Sequence, residues 1–264
     1  MSSPRRSPLV ALWRLMRASA HVLRGLWTIR REFGRLTPEQ RALRVRGWSR
    51  HMLALMGVTL EVRGTPPAGG PLLLAANHIS WLDILVMDAA HPARFVSKAD
   101  VKHWPVLGAL ITGAGTLYIE RTSRRDAMRV VHQMAAALSA GDTLAVFPEG
   151  TTGDGRALLP FHANLIQAAI AAHAPVLPVA LRYLDGDTGA VSDAPLFLGE
   201  TTLLQSVWRT LRADGLQACV RLGEPQMARE RDRRAWAADL QQAVGAMLAA
   251  DTAPVAISES ASGR

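Results

Sequence analysis

Apolar residues recur at helical spacing from the start of the chain: Leu9, Leu12, Trp13, Met16, Ala20, Leu23 and Trp27. Arg17, Arg24 and Arg31 repeat every seven residues along the border of that stripe. The pattern predicts an amphipathic helix with an apolar face and a basic face. A second helix opens at Thr37-Pro38-Glu39-Gln40, where Thr37 caps, Pro38 takes the first helical position and Gln40 completes a capping box. It should run to Met56 and stop at Gly57. Val58 to Arg63 then alternates like a strand, and from Pro71 short apolar runs alternate with helical stretches. The expected strands are 71–76, 93–97, 116–120, 143–147, 175–182 and 217–222. The expected helices are 83–90, 100–112, 123–140, 162–173, 202–213 and 229–249, with Ser123 and Asp126 forming a capping box for the third. Apolar strands alternating with helices imply an α/β fold with a mainly parallel central sheet flanked by helices, preceded by an N-terminal amphipathic helical hairpin. The divisions follow: 1–57 a basic helical membrane-binding segment, 58–250 an α/β domain, and 251–264 a small, polar tail expected to fray.

Charge sharpens the reading of the hairpin. The net charge is +8, yet residues 1–50 hold 12 Arg against 2 acids, so the excess lies in that segment. A basic segment can face nucleic acid or an anionic membrane surface. Trp and Leu on one helix face with Arg beside them favour a bilayer interface, and no nucleic-acid partner is expected. Arginines interrupt the stretch well short of the ~20 apolar residues needed to span a bilayer. It also lacks the unbroken apolar core of a signal peptide. The single cysteine, Cys219, allows no disulfide within the chain and suits a packed strand in a reducing cytoplasm.

Two stretches carry candidate chemistry. Asn77-His78-Ile79-Ser80-Trp81-Leu82-Asp83 follows the apolar run 71–76, and Phe147-Pro148-Glu149-Gly150-Thr151 follows another about seventy residues later. On a continuous helix, His78 and Asp83 would point ~140° apart. They meet only if the chain turns between them, and Ser80 as a cap with Asp83 at the third helical position supplies that turn. A carboxylate on one ring nitrogen leaves the other as a base suited to an alcohol proton. The alternative is that Asp83 only caps a helix and Asn77-His78 only turn the chain. The glycine-rich run 147–155 allows close backbone approach to a ligand and is not a Walker sequence. Arg121 ends the strand 116–120 with planar donors suited to phosphate or carboxylate, or pairs with Glu120 at the surface. No Gly-x-Ser-x-Gly elbow marks a serine hydrolase, and the remaining histidines show no metal-ligand spacing.

These residues together resemble the glycerolipid acyltransferases, in particular the bacterial 1-acyl-glycerol-3-phosphate acyltransferases with their His-x4-Asp signature. The resemblance runs from about Val58 to Leu181 in four blocks: His78 with Asp83, Gly115 to Arg121, Phe147 to Thr151, and Val176-Leu177-Pro178-Val179. It implies that His78 is the general base and that Asp83 orients it. It further implies that Asn77, Arg121, Glu149, Gly150 and Thr151 contact the acceptor. The alcohol would attack an acyl thioester directly, with acyl-coenzyme A or acyl-carrier protein as donor and no metal or other cofactor. It also implies a peripheral enzyme on the cytoplasmic face of the cell membrane that draws a lysolipid from it. Two positions depart from the pattern. Thr152 stands where many members have Arg, and Phe161-His162-Ala163-Asn164 where many have Phe-Lys-x-Gly. Two head-group cations are therefore missing, and the sequence also resembles relatives that acylate lyso-ornithine lipid, whose head group has no phosphate. A non-catalytic membrane-surface protein would explain the hairpin and leave both motifs unused.

Overall fold

The computed structural model describes residues 5–67, 69–104, 106–119 and 124–250. The chain starts with a long helix, α1 (Pro8–Glu32), capped by Ser7. A 3-10 turn at Phe33–Arg35 leads to α2 (Pro38–Met56). Both bonds of the expected Thr37–Gln40 capping box form, at 3.3 and 3.0 Å. Gly57 ends α2 with φ 79°, and a Cβ there would come within 2.3 Å of the Arg14 guanidinium. Arg14 in turn donates to the carbonyls of Leu211 and Ala213, at 2.8 and 3.0 Å, tying the hairpin to the far end of the chain.

The remaining elements alternate. They are β1 (Thr59–Arg63), β2 (Leu72–Ala76), α3 (Leu82–Ala90), β3 (Arg94–Lys98), α4 (Leu107–Gly113), β4 (Leu117–Ile119) and α5 (Arg124–Ser139). They continue as β5 (Thr143–Val146), α6 (Gln167–Ala171), β6 (Val176–Asp185), α7 (Leu203–Arg212), β7 (Leu216–Leu222) and α8 (Arg233–Ala250). The seven strands form one sheet in the order β1-β7-β6-β2-β5-β3-β4. All neighbours are parallel except β6 and β7, so β7 and β1 run against the other five.

Every residue of β2 is buried. Leu72, Leu74 and Ala76 enter a core with α1, α2 and α3, whereas Leu73 and Ala75 enter a second core with α5, α6 and α8. That is a sheet covered on both faces, as the unbroken apolar strands require. Ala11, Met52, Leu53 and Met56 of the hairpin belong to the first core. The change of sequence character at residue 57 is therefore not a gap in packing.

α1 carries two apolar faces. Ala11, Leu15, Ala18 and Val22 point inward. Leu9, Trp13, Met16, Leu23 and Trp27 point outward, with Trp13 and Trp27 still 53% and 56% exposed. The stripe read from the sequence is thus the outward one, and Arg17 lies over the Trp13 ring at 4.3 Å.

Three expected helices are shorter. The stretch 100–112 divides into a 3-10 turn at Ala99–His103 and α4, because Val106 stands at φ 66°, outside the helical region. Helix 162–173 shrinks to α6, with hydrogen-bonded turns on either side. Helix 229–249 begins only at Arg233, where Asp232 accepts from the N–H groups of Arg234 and Ala235; Arg229 and Glu230 have positive φ and cannot be helical. Ser123 of the expected capping box and the tail 251–264 lie outside the described residues.

Candidate active site

β2 and β5 are parallel neighbours with Ala75 level with Val146. Their carboxyl ends therefore release Asn77-His78 and Phe147-Pro148-Glu149 side by side, where ligands bind in such sheets. The turn expected between His78 and Asp83 is present, with the Asp83 N–H donating to the Ser80 carbonyl at 3.2 Å. Ser80 is not the helix cap: α3 starts one residue later than that cap would place it, with Trp81 at the N-cap and Asp83 at the second helical position, and Ser80 accepts from the Leu82 N–H at 3.2 Å. Asp83 folds back and takes the His78 ring through Nδ1 at 2.7 Å.

Asp83 is fully buried, and both oxygens are engaged. Oδ2 also accepts from the N–H groups of Ile79 and Ser80, at 2.7 and 2.9 Å. Oδ1 accepts from the Tyr183 hydroxyl at 2.7 Å. Four donors around one carboxylate fix its position, and it fixes the ring. With Nδ1 carrying the proton toward the carboxylate, Nε2 keeps its lone pair for substrate. The His78 ring lies flat on Phe147, centroids 3.9 Å apart and planes 10° from parallel. The ring thus has one edge on Asp83 and one face on Phe147.

Glu149 sits behind this ring. Its two oxygens accept from the backbone N–H groups of His78 (2.7 Å) and Leu159 (3.0 Å). Burial raises its proton affinity, and the two N–H bonds partly offset that. The Gly153 N–H donates to the His78 carbonyl at 2.7 Å, so His78 is pinned at both ends of its backbone unit. Gly150, at φ 72°, turns the chain at the cavity wall, and Thr151 lines the same wall while exposed to solvent.

The residues read from the sequence thus divide. His78 is bonded to Asp83, and His78, Gly150 and Thr151 line one cavity. Glu149 spends both oxygens on backbone and acts on His78. Asn77 is buried, accepts from the Leu181 N–H at 2.7 Å and donates to the Leu181 carbonyl at 3.1 Å; it clamps β2 to β6. Arg121 lies outside the described residues. Ser80 donates its hydroxyl to the Pro195 carbonyl and is fully buried, so it offers no nucleophile to His78. Sequence reading missed Tyr183 and the stacking role of Phe147. Alternation along β6 places Tyr183 on the side of Val179 and Leu181, but nothing local names its partner. Burial and the adjacent carboxylate push the Tyr183 hydroxyl well above its ordinary value, so it remains a donor.

An apolar cavity of about 1160 Å³ opens at His78 and Phe147 and runs between α1, α2, α3 and α4. A histidine in the lining of a large apolar cavity suits a substrate that bears a long hydrocarbon chain.

The Acyltransferase family pattern matches residues 58–182, the span holding His78, Asp83 and Glu149. The chain is 39% identical over 228 residues to the 1-acyl-sn-glycerol-3-phosphate acyltransferase of Neisseria meningitidis, covering 83% of this chain and 86% of the relative. The chain belongs to the acyltransferase family. The lyso-ornithine lipid O-acyltransferase of Pseudomonas aeruginosa is nearly as similar, 38% identical over 220 residues with 83% of each chain covered. The crystal structure of the 1-acyl-sn-glycerophosphate acyltransferase from Thermotoga maritima shares the fold, with a TM-score of 0.71, 17% identity, and 93% and 96% of the two chains covered. Within this acyltransferase no helix of the described residues is long and apolar enough to cross a membrane.

Proposed function

We propose that this acyltransferase moves a fatty acyl group from an acyl thioester to the free hydroxyl of 1-acyl-sn-glycerol-3-phosphate, giving phosphatidic acid. The observation that carries the mechanism is the His78–Asp83 pair at the mouth of the apolar cavity. Nε2 of His78 takes the hydroxyl proton as the oxygen attacks the thioester carbonyl. The tetrahedral intermediate collapses, the C–S bond breaks, and the leaving thiolate takes the proton back from His78. Asp83 stabilises the imidazolium between these steps. The acyl chain occupies the cavity, and the donor is acyl-coenzyme A or acyl-carrier protein. Gly150, Thr151 and Arg121 would meet the acceptor head.

The outward face of α1 supports a place on the membrane surface. Its exposed Trp and Leu side chains would enter the interface, and its arginines would meet anionic head groups, with the domain on the cytoplasmic side of the cell membrane. A second acceptor, lyso-ornithine lipid, is favoured by one observation. Thr152 stands where a cation is common and turns its hydroxyl to the Phe197 carbonyl, so it adds no charge to the head-group site. The relatives named for the two acceptors are almost equally similar.

Mass-resolved acyl transfer tests this, with both donors offered to each lysolipid and His78→Ala as the control. Phosphatidic acid formed by the wild type and reduced at least a hundredfold in His78→Ala is the expected result. Product only from lyso-ornithine lipid would replace the acceptor. Undiminished product in the variant would remove His78 as the base.

A further inference from the structure

Asp88 is the second aspartate of α3, and acyl transfer as described does not use it. Trp81, Ile84, Leu85 and Asp88 follow at helical spacing and all line the cavity. Three apolar side chains followed by a carboxyl make an odd wall for a plain hydrocarbon. Asp88 is only 5% exposed. Its hydrogen bond among the described residues comes from the Ala93 N–H at 3.3 Å, on one oxygen. Arg46 and Arg50 of α2 reach the same end of α3, but each donates to the Ala89 carbonyl, at 3.4 and 2.9 Å. Burial accordingly pushes the Asp88 carboxyl up to about 8. In its protonated form it offers both a donor and an acceptor.

Ser49 supplies an independent observation. It is 1% exposed, it lines the same cavity, and its hydroxyl has no hydrogen-bond partner among the described residues. It lies three residues after Arg46 on α2, the helix whose Arg46 and Arg50 reach the Ala89 carbonyl next to Asp88. Two helices thus each bring a buried polar group, with bonding capacity left over, to one apolar cavity. A plain hydrocarbon would leave both unsatisfied, which costs free energy.

We propose that Ser49 and Asp88 form a polar station in the wall of the acyl cavity that selects an acyl chain carrying a hydroxyl part-way along its length. This rests on the acyl-transfer reading. Asp88 lies five residues beyond Asp83, roughly 7.5 Å along the helix axis. The matching hydroxyl therefore sits several carbons beyond the thioester carbonyl and not beside it. A buried water is the competing occupant; it would serve any chain and give no selection.

The test uses the full chain with lysolipid vesicles and pairs of acyl-coenzyme A donors of equal length. One donor is unsubstituted; the other carries a hydroxyl either in mid-chain or at carbon 3. Product ratios are read by mass. The wild type should favour the mid-chain hydroxyl by about tenfold and the carbon-3 hydroxyl not at all. Asp88→Leu should abolish the preference, and Ser49→Ala should reduce it by about threefold. Asp88→Asn, which keeps a donor and an acceptor, should retain most of it. Ser49→Ala removes one buried oxygen, so it carries the test if Asp88→Leu does not fold. Turnover of the unsubstituted donor by the same preparations reports whether acyl transfer is intact. Equal use of both donors by the wild type, with turnover intact, overturns the proposal. So does a preference unchanged in Ser49→Ala and Asp88→Leu.

Discussion

Asp83 and Asp88 lie one and a half turns apart on the same helix, and both are buried. Asp83 takes four donors: the His78 ring, two backbone N–H groups and the Tyr183 hydroxyl. Among the described residues Asp88 takes one, at 3.3 Å. Burial is therefore common to both, and the supply of donors separates them. The first aspartate is built to hold a histidine. The second is left to hold a proton. Depth alone would have assigned them the same part.

The comparison breaks most visibly at the first aspartate. Asp83→Asn keeps the volume but sets an amide N–H2 against donors or offers the wrong partner to His78. Its kcat should fall about 10³–10⁴-fold, measured by steady-state acyl transfer. A loss below tenfold would show that the carboxylate is dispensable.

The second aspartate should show in stability rather than in rate. Its folded carboxyl holds a proton up to about 8, against an ordinary 3.8, so the folded chain binds a proton that the unfolded chain has released. Stability from this group is complete below its unfolded value, declines through the window between the two, and is gone above about 8. Chemical denaturation at pH 5 and pH 8 should show the wild type losing on the order of a few kcal/mol that Asp88→Asn does not lose. Parallel profiles for the two proteins would refute it.

Glu149→Gln sharpens the role given to a carboxylate that touches backbone only. It retains one acceptor but turns its N–H2 toward a backbone donor at His78 or Leu159. A fall in kcat of about 10–100-fold with little change in KM is expected, because the base is displaced and substrate contacts are not. A change confined to KM would instead return Glu149 to the acceptor head. The smallest effect is expected for Tyr183→Phe. It removes one of four donors from Asp83 and should cost about 1–2 kcal/mol of stability in urea denaturation, with kcat reduced by only a few-fold.

Much of this was legible in the sequence wherever the partners are close along the chain. The Thr37–Gln40 box, the stop at Gly57 and the turn joining His78 to Asp83 all span five residues or fewer. Binary pattern placed every strand of the sheet: β2 and β6, buried almost throughout, leave unbroken apolar runs, whereas the partly exposed β1 shows as alternation. The roles of Asn77 and Glu149 were not legible. Their residue types suited a ligand site, but their partners lie 104 and 71 residues away, on Leu181 and at His78. Tyr183 was invisible for the same reason. The inward face of α1 was hidden differently: it is built of small residues, Ala11, Ala18 and Gly25 every seven positions, beneath a louder stripe of Trp and Leu. The helix at 100–112 failed at Val106, whose positive φ no apolar pattern announces.

The clamps between the end of β2 and β6 also set an order of events during synthesis. Asn77 meets Leu181, and Asp83 meets Tyr183, across about a hundred residues of chain. The His78–Asp83 pair leaves the ribosome early, yet its carboxylate lacks a donor and its strand lacks one of its two neighbours until β6 follows. Long-range closure of this kind is slow compared with helix formation. A growing chain on the ribosome would thus expose the hairpin, to which we assign the lipid contact, well before it could transfer an acyl group. On that proposal, delivery to the membrane would precede activity.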